Sequence, residues 1–300
     1  PKAAATGKRV GVIGGGPGGL TAAYYLSLKG NRVTIVDSMP QMGGMLRYGI
    51  PEYRLPKKVL DQEIDEIASL GVEMKNNFRI GEQMSFEEFK SQYDAVVLAI
   101  GAWSSMPIGC PGEDLEGVMG GIDFLRQVAM GEKPDIGDKV AVVGGGNSAV
   151  SEALLLSRLC RHVSLVHRRS TFRASAAELA ALEKQDNVTF CRNSIVTELL
   201  GRERLTGIRL QNGRELEISG LFVCIGRTPV SALGGEQLRR TPDGYYCADE
   251  TTRTGLPGVF AAGDVREKQL RQIVTAVSDG AAAAQQAEHY LGKTSRRAEI

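Results

Sequence analysis

KRVGVIGGGPGGLTAAYYLSLKGNRVTIVD, residues 8–37, and DKVAVVGGGNSAVSEALLLSRLCRHVSLVH, residues 138–167, are two copies of one pattern. Each runs from an apolar strand through a glycine-rich turn and a helix of small residues to a second apolar strand. Gly14, Gly16 and Gly19 of the first copy match Gly144, Gly146 and Ala149 of the second. The first glycine permits the tight turn, and the second lets backbone N–H groups approach a pyrophosphate. The third position must be small so that the helix can pack on the strand. Helix N-termini then face the anion, at Pro17 in one copy and at Asn147 and Ser148 in the other. Two dinucleotide fingerprints in register predict an α/β chain with two Rossmann-like domains.

The copies differ where the ribose is read. Asp37 ends the first unit, and its carboxylate can accept from ribose hydroxyls and repel a 2′-phosphate. His167 stands at that point in the second copy, followed by Arg168, Arg169 and Arg173. Three guanidinium groups can clamp a phosphate with charge-assisted bonds. The first turn therefore suits FAD or NAD(H), and the second suits NADPH, with NADH still open. Taken singly, Asp37 also fits a solvated strand end and the arginines a solvated basic loop. Their place inside complete fingerprints favours the nucleotide reading.

The bulk properties narrow the rest. A chain of 300 residues can form two domains with real cores. A net charge of +1 gives no general attraction to nucleic acid or membrane. No apolar run reaches membrane-spanning length, and PKAAATGKRV has no hydrophobic signal core, so a cytoplasmic location is expected. Cys110, Cys160, Cys191, Cys224 and Cys247 are scattered without ligand spacing, which predicts reduced thiols and no metal site. Cys160 and Cys224 lie in apolar patterns and are expected in the core. His162 and His289 are expected on the surface. Met39, Met42 and Met45 read as gap-fillers, while Tyr48 and Trp103 fit flavin lining or ordinary packing equally.

Further along, residues 57–70 carry Val59, Leu60, Ile64, Ile67 and Leu70 at helical spacing, ended by Gly71. VEMKNNFRI reads as a strand, Ser85 starts a short helix, and DAVVLAIGA is a buried strand. Residues 118–130 and 175–184 read as helices. The stretch from Asn187 to Gly220 alternates in period two, with turns at Gly201 and Asn212-Gly213, and reads as an antiparallel meander. LFVCIGRTP, residues 221–229, matches DAVVLAIGA. The repeat places a nucleotide domain, residues 108–229, inside an FAD domain formed by 1–107 and 230–300.

These motifs, with TRTGLPGVFAAGDV and VREKQLRQIVTAVSDGAAAA near the C-terminus, resemble flavoprotein disulfide reductases with two dinucleotide domains. The likeness is nearest to the thioredoxin-reductase-like branch and the glutamate synthase small subunit. It implies that Asp264 binds the flavin's ribityl chain beside Gly263. Arg271, Gln272 and Ile273 then open a helix toward the flavin, where amides offset negative charge on its reduced form. GGMLRYGIPEYRLPKKVLDQEI resembles the glutamate synthase small subunit and related ferredoxin-linked oxidoreductases. It implies an FAD lining from Gly43, Gly44, Met45, Ile50 and Arg54, with Arg54 near the flavin ring as the one candidate for a catalytic role. Gly18, Ser38, Ile80, Ala99, Ile100 and Gly101 complete the FAD set, and Ile225 and Gly226 join the NAD(P)H set. His167 is placed against the adenosine phosphate rather than as a base.

One departure changes the expected chemistry. Thioredoxin reductases carry a redox CxxC before the nucleotide strand; here Gly121 and Phe124 occupy those positions. Disulfide exchange needs two neighbouring thiols. The resemblance therefore implies an FAD-dependent NAD(P)H oxidoreductase that passes electrons to a separate partner, an iron–sulfur protein or a larger redox subunit. The cysteine-rich segment of the glutamate synthase small subunit has no counterpart here, so an iron–sulfur relay is expected in that partner. Membership of a complex or a homodimer follows. A stand-alone ferredoxin- or flavodoxin-NADP reductase, a diaphorase and a regulatory flavoprotein remain alternatives. Hinges for domain rotation are expected near residues 108–117 and 226–232.

Overall fold

The computed structural model describes residues 2–229 and 233–298. It divides into two units, Pro1–Trp103 with Thr228–Ile300, and Ser104–Arg227. The chain crosses between them slightly earlier than the expected boundaries at 108 and 229. Residues 230–232, part of one expected hinge, lie outside the described residues.

Each unit is built on a five-stranded sheet. In the first, the order is Val259–Ala261, Ala95–Leu98, Arg9–Ile13, Arg32–Val36 and Glu73–Lys75, all parallel. Apart from the edge strand Glu73–Lys75, these strands are almost continuously apolar because both faces are covered. Leu26, Leu60, Ile64 and the alanines Ala283, Ala284 and Ala287 pack one face; Phe86, Phe89, Leu238 and Tyr246 pack the other. The helices Pro17–Leu28 and Ile273–Ala298 approach closely because Gly18 and Gly280 lie between them. A Cβ on Gly280 would collide with the Gly18 carbonyl oxygen.

The second unit repeats the order with Val118–Gly120, Gly220–Cys224, Lys139–Gly144, His162–Val166 and Val188–Cys191, again all parallel. Helices cover one face, with Phe124 against Phe222 at 4.9 Å between ring centroids. A three-stranded antiparallel sheet, Val196–Gly201, Leu205–Leu210 and Glu215–Glu217, covers the other through Val196, Leu199, Ile208 and Leu210.

Several local expectations need correction. Val188–Cys191 belongs to the parallel sheet, not to the meander, which starts at Val196. Residues 118–120 form a strand, and the helix begins at Gly121. The strand expected across VEMKNNFRI is confined to Glu73–Lys75, ended shortly after by Asn77 in the left-handed region at φ 53°. Val59, expected on the buried face of its helix, is 49% exposed, whereas Leu60 and Ile64 carry the contact.

Candidate functional site

In both units the sheet order reverses beside the strand that feeds the glycine turn, which opens a crevice at the carboxyl ends of two neighbouring strands. Gly14, at φ 104°, sits in that crevice in the first unit, where a Cβ would collide with the Ala99 carbonyl. Gly19 has no room for a methyl group because of the Gly14 carbonyl oxygen. The helix Pro17–Leu28 starts at Gly16 without a side-chain cap, with Pro17 supplying no N–H. The second unit repeats this at Gly146, the uncapped N-cap of Asn147–Leu156, with nothing within 4 Å of where its Cβ would lie. Backbone donors at both helix starts therefore stand open to an anion, which fits a pyrophosphate at each turn.

Asp37 is 9% exposed. Its Oδ2 accepts from Gly15 N at 2.6 Å and its Oδ1 from Met39 N at 2.8 Å. Burial pushes its pKa up, partly offset by those two bonds and by Arg79. The carboxylate thus stiffens the turn and keeps lone pairs for hydroxyl donors. Ser38 follows it, half-buried. Gly43 and Gly44 fold over the turn: Gly43 N donates to Gly15 O at 2.8 Å, and a Cβ on Gly44 would lie 2.7 Å from Gly16 Cα. Met45 opens the short helix Met45–Tyr48, and the Tyr48 and Trp103 rings lie 6.2 Å apart. Met42 is buried, its sulfur against the face of Gly15. Ile50 is half-buried, and Arg54 lies exposed in the turn that follows. Ala99, Ile100 and Gly101 leave the crevice together, Gly101 in the left-handed region at φ 68°, while Ile80 is buried in the core beside Ile13 and Val36.

Gly263 and Asp264 form a tight turn at the same end of the sheet, and Gly263 N lies 3.6 Å from where a Cβ on Gly18 would stand. Gly263 N donates to Asp279 Oδ2 at 2.9 Å. Asp279 also accepts from Arg266 and Lys268, so the last helix grips this turn through a buried ion cluster. The Arg271 guanidinium lies 3.7 Å from the Tyr245 ring centroid, and its buried Nε has no hydrogen-bond partner among the described residues. That orphaned donor suits a polar ligand. The Gln272 amide is already used, donating to Thr275 Oγ1 at 3.0 Å.

In the second unit His167 is 6% exposed and wedged between Gly145 and the Phe172 ring, 5.1 Å away and nearly parallel. Its Nε2 donates to Thr171 O at 3.1 Å. Burial, then the charges of Arg169, Arg173 and Arg168, depress its pKa and keep the ring neutral. Nε2 is committed to the loop backbone, so the ring shapes the loop. Arg173 N donates to Gly145 O at 2.7 Å, which ties its backbone to the glycine turn. Arg168, Arg169 and Arg173 are exposed, and none forms an ion pair with a described carboxylate. Asn147 and Ser148 are exposed at the helix start, and Asn147 Oδ1 accepts from Ser175 N at 2.8 Å. Ile225 is 41% exposed, and Gly226 is pressed against Met106.

Sequence reading missed Glu152. It is 2% exposed, its Oε2 accepts from the Cys224 thiol at 3.1 Å, and its Oε1 has no described partner. Burial raises its pKa to about 7. Its signal was an acid inside AVSEALLL, a helix stretch buried nearly all round. Gly121 packs against both Cys224 and Glu152, and Phe124 is 1% exposed. All five cysteines are free thiols, and no metal-binding cluster exists among the described residues.

Residues 8–280 match the family model for pyridine nucleotide-disulphide oxidoreductases. The chain belongs to that family. This pyridine nucleotide-disulphide oxidoreductase is 35% identical to the NADP(+)-dependent formate dehydrogenase subunit beta of Moorella thermoacetica, over 96% of its own length and 45% of that subunit. It therefore spans less than half of that relative. It is 34% identical to thioredoxin reductase of Mycolicibacterium smegmatis, over 94% of this chain and 96% of that one. Among solved structures, Lactococcus lactis thioredoxin reductase in its FR conformation matches with a TM-score of 0.77 and 26% identity, covering 95% of this chain and 99% of that chain. No described helix is long and apolar enough to cross a membrane.

Proposed function

We propose that the first unit holds FAD, that the second holds NADPH, and that electrons leave to a separate redox protein. The observation that carries this is the contrast at the two turns. A buried Asp37 suits bare ribose hydroxyls, whereas the exposed Arg168, Arg169 and Arg173 suit an added phosphate. FAD held there would supply a hydride acceptor for the nicotinamide and a route for single-electron release. The protein's own part is to orient and to balance charge. Gly14, Gly16 and Gly19, with Gly43 and Gly44, let backbone reach the FAD pyrophosphate. Gly263, Asp264 and the start of the helix at Ile273 meet the rest of the flavin cofactor. Gly144 and Gly146 serve the second pyrophosphate, and Ile225 and Gly226 border that nucleotide.

The missing dithiol points to an acceptor outside the chain. Gly121 and Phe124 stand where a redox pair would be, and Gly121 is packed against Cys224 and Glu152. An iron–sulfur protein or larger oxidoreductase subunit then takes the electrons; the formate dehydrogenase relative is named as a beta subunit, which favours membership of a complex. Affinity purification from the native cell tests this, with spectra of the co-purifying proteins. An iron–sulfur subunit reduced by NADPH only when this chain is present supports the reading. Rapid reduction of a protein disulfide by the isolated chain would overturn it.

A further inference from the structure

Three carbonyl groups of the loop that crosses the first glycine turn converge on one ammonium. Lys57 Nζ donates to Leu46 O at 3.0 Å, Ile50 O at 2.6 Å and Leu55 O at 3.2 Å. An ammonium has three protons, and each meets one carbonyl. The Lys57 backbone N–H is held as well, by both oxygens of the Glu52 carboxylate at 3.1 and 3.2 Å. Carbonyls of an irregular loop need partners, and here they find them in a residue fixed at the start of the helix Lys57–Ser69. Upstream, a buried cation does the same. Arg47, 7% exposed, donates from Nε to Met42 O at 2.6 Å and from Nη2 to Asp61 of that helix.

We propose that Lys57, with Arg47, is a positioning residue that preorders residues 42–56 as a wall of the FAD site. The inference rests on the reading that the first unit holds FAD. The loop is tied to that site by Gly43 N–Gly15 O and by the Gly44–Gly16 approach, so its conformation sets where Gly43, Gly44 and Ile50 lie. A ligand that finds this wall already ordered does not have to meet the entropy of ordering it. Lys57 acts through the three carbonyls and carries no chemistry of its own.

Lys57→Met removes all three bonds and keeps an unbranched side chain of similar length. Lys57→Arg retains donors, and Lys58→Met removes an exposed lysine next door as a control. Apoprotein is prepared from the full chain, and FAD affinity is read by quenching of flavin fluorescence. Limited proteolysis of the same apoproteins maps cuts within 46–56. The expected result is an FAD dissociation constant at least tenfold higher for Lys57→Met, with new cuts in that loop, partial recovery in Lys57→Arg and wild-type behaviour in Lys58→Met. Circular dichroism confirms that the variants fold. Folded Lys57→Met with wild-type FAD affinity, or with an unchanged digestion pattern, overturns the inference. Failure of the wild type itself to bind FAD would instead overturn the reading on which it rests.

Discussion

Replacing Glu152 with Gln should remove a pH-dependent loss of stability from the second unit. Glu152 is 2% exposed and faces a thiol rather than a cation, and burial lifts its pKa from 4.5 to about 7. Below about pH 4.5 the carboxyl is protonated in both folded and unfolded chains, and stability is at its fullest. As pH rises toward 7 the unfolded chain releases the proton while the native chain keeps it, so stability falls. Above about 7 both forms are ionised and the loss levels off. A rise of roughly 2.5 units at about 1.4 kcal/mol per unit makes the loss about 3 kcal/mol. Gln keeps an acceptor for the Cys224 thiol and does not titrate. Denaturant unfolding of the full-length apoprotein, wild type and Glu152→Gln, at several pH values between 4.5 and 8 measures the effect. The free-energy difference should move in favour of the variant by about 3 kcal/mol across that range. A constant difference would show that Glu152 is ionised throughout or reaches a counter-charge, and the reasoning would be refuted.

Other outcomes follow from the two sites. Arg168→Ala and Arg169→Ala should each raise KM for NADPH about ten- to a hundredfold, at about 1.5–3 kcal/mol per charge-assisted bond, and leave KM for NADH unchanged; steady-state kinetics with both nucleotides checks this. Gly19→Ala drives a methyl group into the Gly14 carbonyl, so it should cost about 1–3 kcal/mol and weaken FAD retention, read by flavin content after gel filtration. Asp279→Asn should destabilise the first unit by about 3–5 kcal/mol, because it leaves Arg266 and Lys268 buried without their shared counter-charge. Burial opposes ionisation of Asp279, but its bonds from Arg266 and Lys268 hold its pKa below the usual aspartate value. Its contribution is therefore present above about pH 4 and lost as pH falls through the lowered value, a loss that acid titration of Asp279→Asn should lack.

The parts of this molecule legible in sequence are those fixed by short-range sterics. Gly14, Gly16 and Gly19 announce themselves because a strand, a turn and a helix must meet without side chains, and the second copy repeats the demand. Asp37 and the three arginines were legible by position in that unit. What failed depended on the partner strand. Val188–Cys191 alternates as a meander strand would, yet it forms the edge of a parallel sheet, and local pattern does not distinguish those neighbours. Val118–Gly120 is too short to show a period of its own before the helix that follows. His167 is marked by position beside the arginines, and the folded loop adds its bond to Thr171 and its wedge against Gly145. Lys57 was invisible because its three partners are backbone carbonyls brought together by the loop, and no residue type marks them.

Anaerobic mixing of FAD-reconstituted protein with NADPH or NADH, followed through the flavin absorbance band, tests the division of cofactors most directly. Tight uptake of one FAD per chain, fast bleaching by NADPH and much slower bleaching by NADH at equal concentration are the predicted results. A folded protein that takes up no flavin, or a flavin that neither nucleotide reduces, would contradict the account.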